Sequence, residues 1–269
     1  MSSKVISTDE QTHRKTKRGV LVLLPGLLCD EAVWTDQCIT LSSAECLVPS
    51  YGEADSLCDM ARHVLNVVSA PHFSLAGHSM GGRVALEIAR MAPERIERLA
   101  LLDSGVDARA KGEPGEQEYE KRMSLLELSR EHGMRHMGMQ WARGMVHSDR
   151  WSTPLFGEIL DMIARSTPAV FAAQIRSLLE RPDASPVLAA LRCPILLVCG
   201  RQDAWSPLSR HERMHAMCHD SRLAVIEGSG HMSTMEQPAA VSRVLMEWMA
   251  TPAVGEQPAD VWKESQETE

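Results

Sequence analysis

A serine between two glycines is the residue of this sequence best placed to act as a nucleophile. In the segment FSLAGHSMGG, which runs from Phe73 to Gly82, the residues Gly77, Ser79 and Gly81 spell G-x-S-x-G. An apolar run precedes this pentapeptide and an amphipathic stretch follows it, which predicts a strand, a tight turn and a helix. The glycines leave room for the backbone to double back. We therefore expect Ser79 at a helix start, where backbone N–H groups favour developing negative charge.

A base for Ser79, and a carboxylate to orient that base, should follow in the chain. A serine hydroxyl is a weak nucleophile at neutral pH, so a histidine must accept its proton and an acid must hold the histidine in the right tautomer. His231 lies in the segment GSGHM and Asp203 in GRQDAW, each directly after a predicted strand. The order Ser79, Asp203, His231 predicts a catalytic triad that acts at a carbonyl carbon. Asp103, at the end of another predicted strand, is the competing acid, and we expect it instead to organise the start of a helical insert.

Two backbone N–H groups are expected to stabilise the oxyanion that forms during acyl transfer. The first belongs to Met80, directly after the predicted nucleophile. The second lies in the loop PGLL that follows the first clear strand, where Gly26 permits a turn that exposes the next amide. We predict Leu27 as this second donor, with Leu28 as the alternative. His78, beside the nucleophile, is expected to pack or to hydrogen-bond at the turn.

A competing chemistry is suggested by the segment HERMH, which spells H-E-x-x-H between His211 and His215. On a helix, this spacing can bring two imidazoles to one zinc ion with a glutamate as base, as in a metallohydrolase. The longer zincin pattern does not follow, and both histidines are expected on the inward face of a crossover helix, together with Leu208 and Cys218. The sequence favours the serine chemistry, and we expect neither a metal nor a cofactor.

Short apolar runs alternate with amphipathic stretches through most of the chain, which indicates a mostly parallel sheet covered by helices. Strands are predicted at residues 20–24, 46–48, 72–76, 99–102, 195–198 and 223–226. Helices are predicted at about residues 55–69, 81–92, 207–219 and 238–250. The predicted site residues therefore follow strands at one edge of the sheet, where the sites of open α/β sheets lie.

The alternation stops between residues 107 and 185, where only helical patterns occur, so we predict a helical cap over the sheet. Its helices are expected at about residues 116–132, 154–165 and 168–180. Five of the eleven aromatic residues and six of the sixteen methionines fall in the cap, and they fit either an apolar substrate pocket or ordinary packing. Arg143, Arg165 and Arg176 in the cap could bind a substrate carboxylate or be solvated.

The remaining chain divides into a core and two tails. The core is predicted at residues 19–106 and 186–250, between a flexible basic tail at 1–18 and a flexible acidic tail at 251–269. A hydrophobic fraction of 44% and a charged fraction of 24% are typical of a soluble globular chain.

Charge and cysteine usage bear on partners and location. A net charge of -8 gives no overall positive field for nucleic acid, and no apolar segment is long enough for a signal sequence or a membrane helix. Seven scattered cysteines with no C-x-x-C pair predict reduced thiols and a cytoplasmic location. We expect a small-molecule substrate as the partner, with no nucleic acid and no membrane, and make no prediction of oligomeric state.

The segments LLPGLLCD, GHSMGG, GRQDAWSP and GSGHMSTMEQP together resemble the α/β-hydrolase superfamily over about residues 19–250. The chain is similar to small cytosolic members that include carboxylesterases, enol-lactonases and C–C bond hydrolases. The resemblance implies an eight-stranded, mostly parallel sheet with a cap after the sixth strand. Many relatives have His-Gly where this chain has Pro25-Gly26, so the role of that histidine does not carry over.

The resemblance also narrows the expected reaction. Haloalkane dehalogenases and epoxide hydrolases of this fold attack with an aspartate, whereas position 79 is a serine. Hydrolysis of a small carboxylic ester or lactone through an acyl-enzyme is the implied function, and cleavage of a C–C bond in a β-diketone-type substrate is the alternative. A non-catalytic binding module of this fold would usually lack a triad member, and none is missing here.

Overall fold

A sheet of six parallel strands forms the centre of the chain in the computed structural model, which describes residues 19–253. The strands are β1 (Val20–Leu24), β2 (Glu45–Leu47), β3 (Phe73–His78), β4 (Ile96–Leu102), β5 (Ile195–Gly200) and β6 (Ser221–Ile226). Their spatial order is β2-β1-β3-β4-β5-β6. All six coincide with predicted strands, with ends that differ by up to three residues.

The order of the strands explains where a site can form. The chain runs from β1 outward to β2 and then returns to place β3 on the other side of β1. The direction of winding therefore changes between β1 and β3, and the carboxyl ends of such neighbours border an open crevice. Every residue of β3 and β5 is buried, as expected for parallel strands covered on both faces.

Eleven α-helices accompany the sheet within residues 19–253. They are α1 (Thr35–Thr40), α2 (Leu57–Val67), α3 (Met80–Met91), α4 (Glu113–His132), α5 (Met134–Trp141), α6 (Pro154–Ala164), α7 (Pro168–Leu179), α8 (Ser185–Ala190), α9 (Leu208–Met217), α10 (Ser233–Glu236) and α11 (Pro238–Met249). Prolines occupy the first position of α6, α7 and α11, where the missing N–H costs no intrahelical bond. None of the described helices is both long and apolar enough to cross a membrane.

The helices α4 to α8 lie between β4 and β5, in a segment without a strand, as the sequence predicted for this region. The sheet differs from the expectation, since residues 19–253 contain six strands rather than eight and the helical segment follows the fourth of them. The two further strands were expected ahead of β1. Of the predicted tails, residues 1–18 and 254–269 lie outside the described part of the chain.

A glycine in α3 sets how closely this helix packs against β1. A Cβ atom added to Gly81 would lie 2.1 Å from the carbonyl oxygen of Leu24, a backbone atom that cannot move aside. The beginning of α3 therefore touches the end of β1 directly.

We expect Gly81→Ala to lower the free energy of unfolding by about 2 kcal/mol or more, because overpacking against backbone forces a shift of α3. Gly157→Ala is the matched control, since a Cβ there meets no atom within 4 Å and α6 should gain about 0.5–1 kcal/mol. Denaturant unfolding of both variants measures the difference. Equal stability of the two would contradict the close approach.

Candidate active site

Ser79 occupies a strained turn between β3 and α3. Its backbone has φ 53° and ψ -115°, a conformation that residues with side chains rarely adopt. The turn requires glycine nearby, because a Cβ on Gly77 would lie 2.4 Å from the carbonyl oxygen of Gly81. The sequence pattern therefore produces the predicted exposure of Ser79 at the helix start.

The structure brings Ser79, His231 and Asp203 into one hydrogen-bonded chain. The hydroxyl oxygen of Ser79 lies 2.8 Å from His231 Nε2, and His231 Nδ1 lies 2.8 Å from Asp203 Oδ2. The other carboxylate oxygen of Asp203 accepts hydrogen bonds from the backbone N–H groups of Trp205 and Ser206, both at 2.8 Å. Asp203 is thus fixed by its own loop with one oxygen directed at the imidazole.

Asp103, the competing acid, makes different contacts. It is fully buried, and its carboxylate accepts hydrogen bonds from the backbone N–H of Gly200 and from both the N–H and the hydroxyl of Ser233. Asp103 therefore ties the end of β4 to β5 and to α10, whereas the sequence analysis expected it to organise the start of the cap. Asp103 reaches β5 because it directly follows β4, and the carboxyl ends of adjacent parallel strands lie side by side. Burial, reinforced by the charge of Asp203, raises the pKa of Asp103 to about 8.

His78 hydrogen-bonds at the turn, as expected. Its Nε2 lies 2.8 Å from the backbone carbonyl oxygen of His231 and donates to it. Burial, with repulsion from His231, lowers the pKa of His78 to about 4, so this imidazole is neutral at pH 7. His78 thereby helps to hold the backbone of His231 in place beside Ser79.

Glu236 organises the His231 loop, and the sequence analysis missed it. One buried carboxylate oxygen accepts from the backbone N–H groups of Gly230 at 2.9 Å and Met232 at 3.1 Å, on either side of His231. The other accepts from the N–H of His147 at 2.7 Å. The glutamate within GSGHMSTMEQP, five residues after the histidine, was the available signal.

The two amides predicted as oxyanion donors flank Ser79. The N–H of Met80 is the first of α3 and has no acceptor within that helix. Leu28, the alternative to Leu27, donates its N–H to the side-chain oxygen of Gln174 at 2.8 Å and is occupied. Within residues 19–253 no acceptor pairs with the N–H of Leu27. These contacts favour Leu27 over Leu28.

The two histidines of HERMH have separate surroundings. His211 is buried, with Nε2 accepting from the N–H of Ser104 at 3.3 Å. His215 is exposed, with Nδ1 2.7 Å from the hydroxyl of Ser221. The expectation that His215 shares the inward face is wrong, because Met214 takes the buried position there. In the described residues, no cluster of three His, Cys, Asp or Glu side chains could hold a metal ion.

A cavity of about 740 Å³ opens onto Ser79 and His231, within the range of small-molecule sites. The large apolar side chains in its lining are Leu27, Met80, Leu125, Trp141, Met145, Phe171, Leu178 and Trp205. Of the cap methionines, Met145 alone is in this lining, while the buried Met134, Met137 and Met162 belong to the hydrophobic core. The methionine stripe of the cap is therefore mainly packing.

The cap arginines that could have bound a substrate carboxylate are outside this lining. Arg165 pairs with Asp30 at 2.6 Å and Arg176 with Asp55 at 2.7 Å, while Arg143 lies over an indole ring. Both ion pairs join the cap to loops of the core. These exposed arginines therefore make contacts at the surface of the cap and do not line the cavity.

Opposing effects set the pKa of His231. Burial alone would lower it, but the charge and the hydrogen bond of Asp203 raise the pKa above the usual 6.5. The carboxylates of Asp103 and Glu236 add to the rise. These carboxylates thus stabilise the protonated imidazole of His231 relative to that of a free histidine.

We expect the pKa of His231 to lie above 6.5 and to fall in Asp203→Asn, because burial then acts without the facing charge. NMR titration of the imidazole ring protons in both proteins measures the two midpoints. His78 provides an internal control, since its low pKa keeps it neutral across the same range. An unchanged midpoint would show that Asp203 does not set the protonation of His231.

Known proteins share this arrangement of strands and helices. The family model described as "Alpha/beta hydrolase family" matches residues 21–244. A 2-hydroxy-6-oxononadienedioate/2-hydroxy-6-oxononatrienedioate hydrolase of Escherichia coli is 21% identical over 232 residues, covering 76% of this chain and 75% of that protein. An esterase from Thermogutta terrifontis, solved with malate bound, superposes with a TM-score of 0.76 at 27% identity, covering 86% of this chain and 90% of that one.

A further solved structure has the same fold. An enol-lactonase from Burkholderia xenovorans superposes with a TM-score of 0.76 at 18% identity, covering 89% of this chain and 94% of its own. The family model alone spans most of the sequence, from the first strand into the last helix. The chain therefore belongs to the alpha/beta hydrolase family.

Proposed function

We propose that this protein is a serine hydrolase that cleaves a small carboxylic ester or lactone through an acyl-enzyme. The observation that carries the proposal is the chain of two 2.8 Å contacts from Ser79 through His231 to Asp203, at the wall of a cavity of about 740 Å³. Nucleophile, base and orienting acid are within hydrogen-bond reach of one another, as this chemistry requires. The expectations of no metal and no cofactor are part of the proposal.

In the first half of the reaction, Ser79 Oγ attacks the substrate carbonyl and its proton passes to His231 Nε2. Asp203 stabilises the resulting imidazolium, and the N–H groups of Leu27 and Met80 donate to the oxyanion. Collapse of this intermediate breaks the bond to the leaving oxygen, which takes the proton from His231. Water then repeats the sequence on the acyl-enzyme and releases the acid, which restores Ser79.

The cavity supports a small substrate. Its volume of about 740 Å³ and its aromatic walls at Trp141, Phe171 and Trp205 suit a compact, partly apolar molecule. We propose that acyl chains beyond about eight carbons are poor substrates. Two structural neighbours, one an esterase and the other an enol-lactonase, agree with this class.

A C–C bond hydrolase is the second candidate. It is favoured by the E. coli relative, whose name is that of a hydrolase of an oxo-dienedioate. The same three side chains would serve, with a carbanion rather than an alkoxide as the leaving group. The predicted cytoplasmic location, and the absence of nucleic-acid and membrane partners, stay predictions.

We expect Ser79→Ala to lower turnover by several orders of magnitude and to leave the fold intact, because the nucleophile is lost while its neighbours remain. Wild type and variant are compared on short p-nitrophenyl esters, lactones, thioesters and β-diketones in parallel, with melting temperatures as the folding control. Activity confined to β-diketones would select C–C cleavage. Retention of most activity by the variant would refute a nucleophilic Ser79.

The two buried aspartates should differ in their effects on catalysis. Asp203→Asn should lower kcat by about 10⁴-fold, because an amide stabilises the wrong imidazole tautomer. Asp103→Asn should be much milder, since Asp103 bonds to Gly200 and Ser233 rather than to His231. Steady-state kinetics of both variants on one ester decides the assignment. The reverse ranking would move the acid to position 103.

A further inference from the structure

Arg83 is a buried cation that lines the cavity without a partner. It is 8% exposed, and its Nη1 is buried with no hydrogen-bond partner. Among residues 19–253, no hydrogen bond or ion pair involves this side chain. A charge in such a position opposes folding, because the guanidinium loses water while no acceptor bonds to its Nη1 and the attraction of Asp107 and Glu118 acts without direct contact.

The other arginines of the cavity are partnered. Arg181 donates two hydrogen bonds to Glu118, both at 2.8 Å, and Arg122 donates to the same carboxylate at 3.0 Å. Arg210 donates to the carbonyl oxygen of Trp205 at 3.1 Å. Glu118 is therefore already occupied, and Arg83 is the arginine of the cavity for which the described residues provide neither a hydrogen bond nor an ion pair.

The charges around Arg83 are of both signs, since Arg181 and Arg210 repel the guanidinium while Asp107 and Glu118 attract it. Burial, followed by repulsion from Arg181 and Arg210, lowers the pKa of Arg83 to about 9. At pH 7 the side chain is still charged. The full lining contains five cationic and three acidic side chains, so binding of one anion would bring the net charge of the cavity lining closer to zero.

Arg83 is also close to the reacting position along α3. It comes four residues after Ser79, hence about one turn and about 6 Å farther along the helix axis. Residues four apart share a helix face, and side chains on a helix lean towards its N-terminus. The guanidinium therefore leans towards the end of α3 that carries Ser79, and both residues line the cavity.

We propose that Arg83 binds a carboxylate of the substrate, so that the preferred ester or lactone carries an acid group a short spacer away from the scissile carbonyl. The specificity inferred here rests on the proposed function. A planar guanidinium with free N–H groups matches a carboxylate, and the pair is strong where water is excluded. Arg83 is a specificity-determining residue in this role and takes no part in bond breaking.

The test compares two substrates with equal acyl length, the mono-p-nitrophenyl ester of adipate and p-nitrophenyl hexanoate. Wild type should favour the adipate ester in kcat/KM. Arg83→Met should lower kcat/KM for the adipate ester by about 10- to 100-fold, which corresponds to the loss of one or two charge-assisted hydrogen bonds. Its kcat/KM for the hexanoate should stay within about twofold, which also shows that the variant folds.

Two further variants separate charge from shape and from position. Arg83→Lys should recover part of the preference, because an ammonium keeps the charge without the planar pair of donors. Arg90→Met, on the same helix but bonded to Glu87 outside the cavity, should leave both substrates unaffected. Equal losses on both substrates in Arg83→Met, or a wild type without preference for adipate, would overturn the inference.

A binding experiment keeps this inference separate from the proposed function. Free adipate is titrated calorimetrically into Ser79→Ala and into the double variant Ser79→Ala/Arg83→Met. Binding by the first and about 10-fold or weaker binding by the second supports the carboxylate site even where no ester is hydrolysed. Equal affinity, or no binding to either protein, would refute the site whatever the esterase assays give.

Discussion

The constraint on which the structure depends is the backbone turn that carries Ser79. A serine at φ 53° is strained, and the turn persists because β3 on one side and α3 on the other fix both of its ends. The glycines around it remove side chains exactly where two backbones touch, so α3 can begin against the end of β1. The Ser79 hydroxyl is thereby held where His231 Nε2 lies 2.8 Å from it. Histidine, acid and amide donors are arranged around this fixed point by loops at the same edge of the sheet.

Those loops are held by residues far away in the chain. Gln174 of the cap takes the N–H of Leu28, which leaves the neighbouring amide of Leu27 free. Glu236 fixes the backbone on both sides of His231. The precision of the site therefore comes from buried polar groups whose hydrogen bonds are satisfied, in a setting where an unsatisfied group would be costly.

The sequence was informative wherever one local pattern carries a physical requirement. Strands buried on both faces, such as β3 and β5, are apolar runs in the sequence and were predicted as such, and the partly exposed β2 and β6 were predicted from short apolar runs. The G-x-S-x-G turn was predicted from the steric requirements of a ten-residue segment. The helices α1, α5, α8 and α10 were missed, because elements of four to eight residues contain too little of the 3.6-residue period. The prediction placed His215 on the buried face of α9 because the 3.6-residue period indicates which face of a helix is apolar. The period does not indicate at which residue the helix passes from the core to the surface.

Long-range partners could not be predicted in the same way. The hydrogen bond between Leu28 and Gln174 joins residues 146 positions apart, and no pattern in either segment predicts that the two will meet. Likewise, Asp103 reaches the backbone N–H of Gly200 only because β4 and β5 are neighbours. The missing hydrogen-bond partner of Arg83 could not be predicted from the sequence. Whether an arginine finds an acceptor depends on three-dimensional packing.

The backbone carbonyl of Met145 accepts the N–H of His231 at 2.6 Å, and the amide of His147 reaches Glu236. The helical segment above the sheet thus supplies part of the scaffold for the histidine itself, besides covering the cavity. In evolutionary terms this segment is not a freely exchangeable module. A chimera that imports a cap from a relative must reproduce the backbone path from residue 145 to residue 147, or the imidazole loses its support while every triad residue is still present.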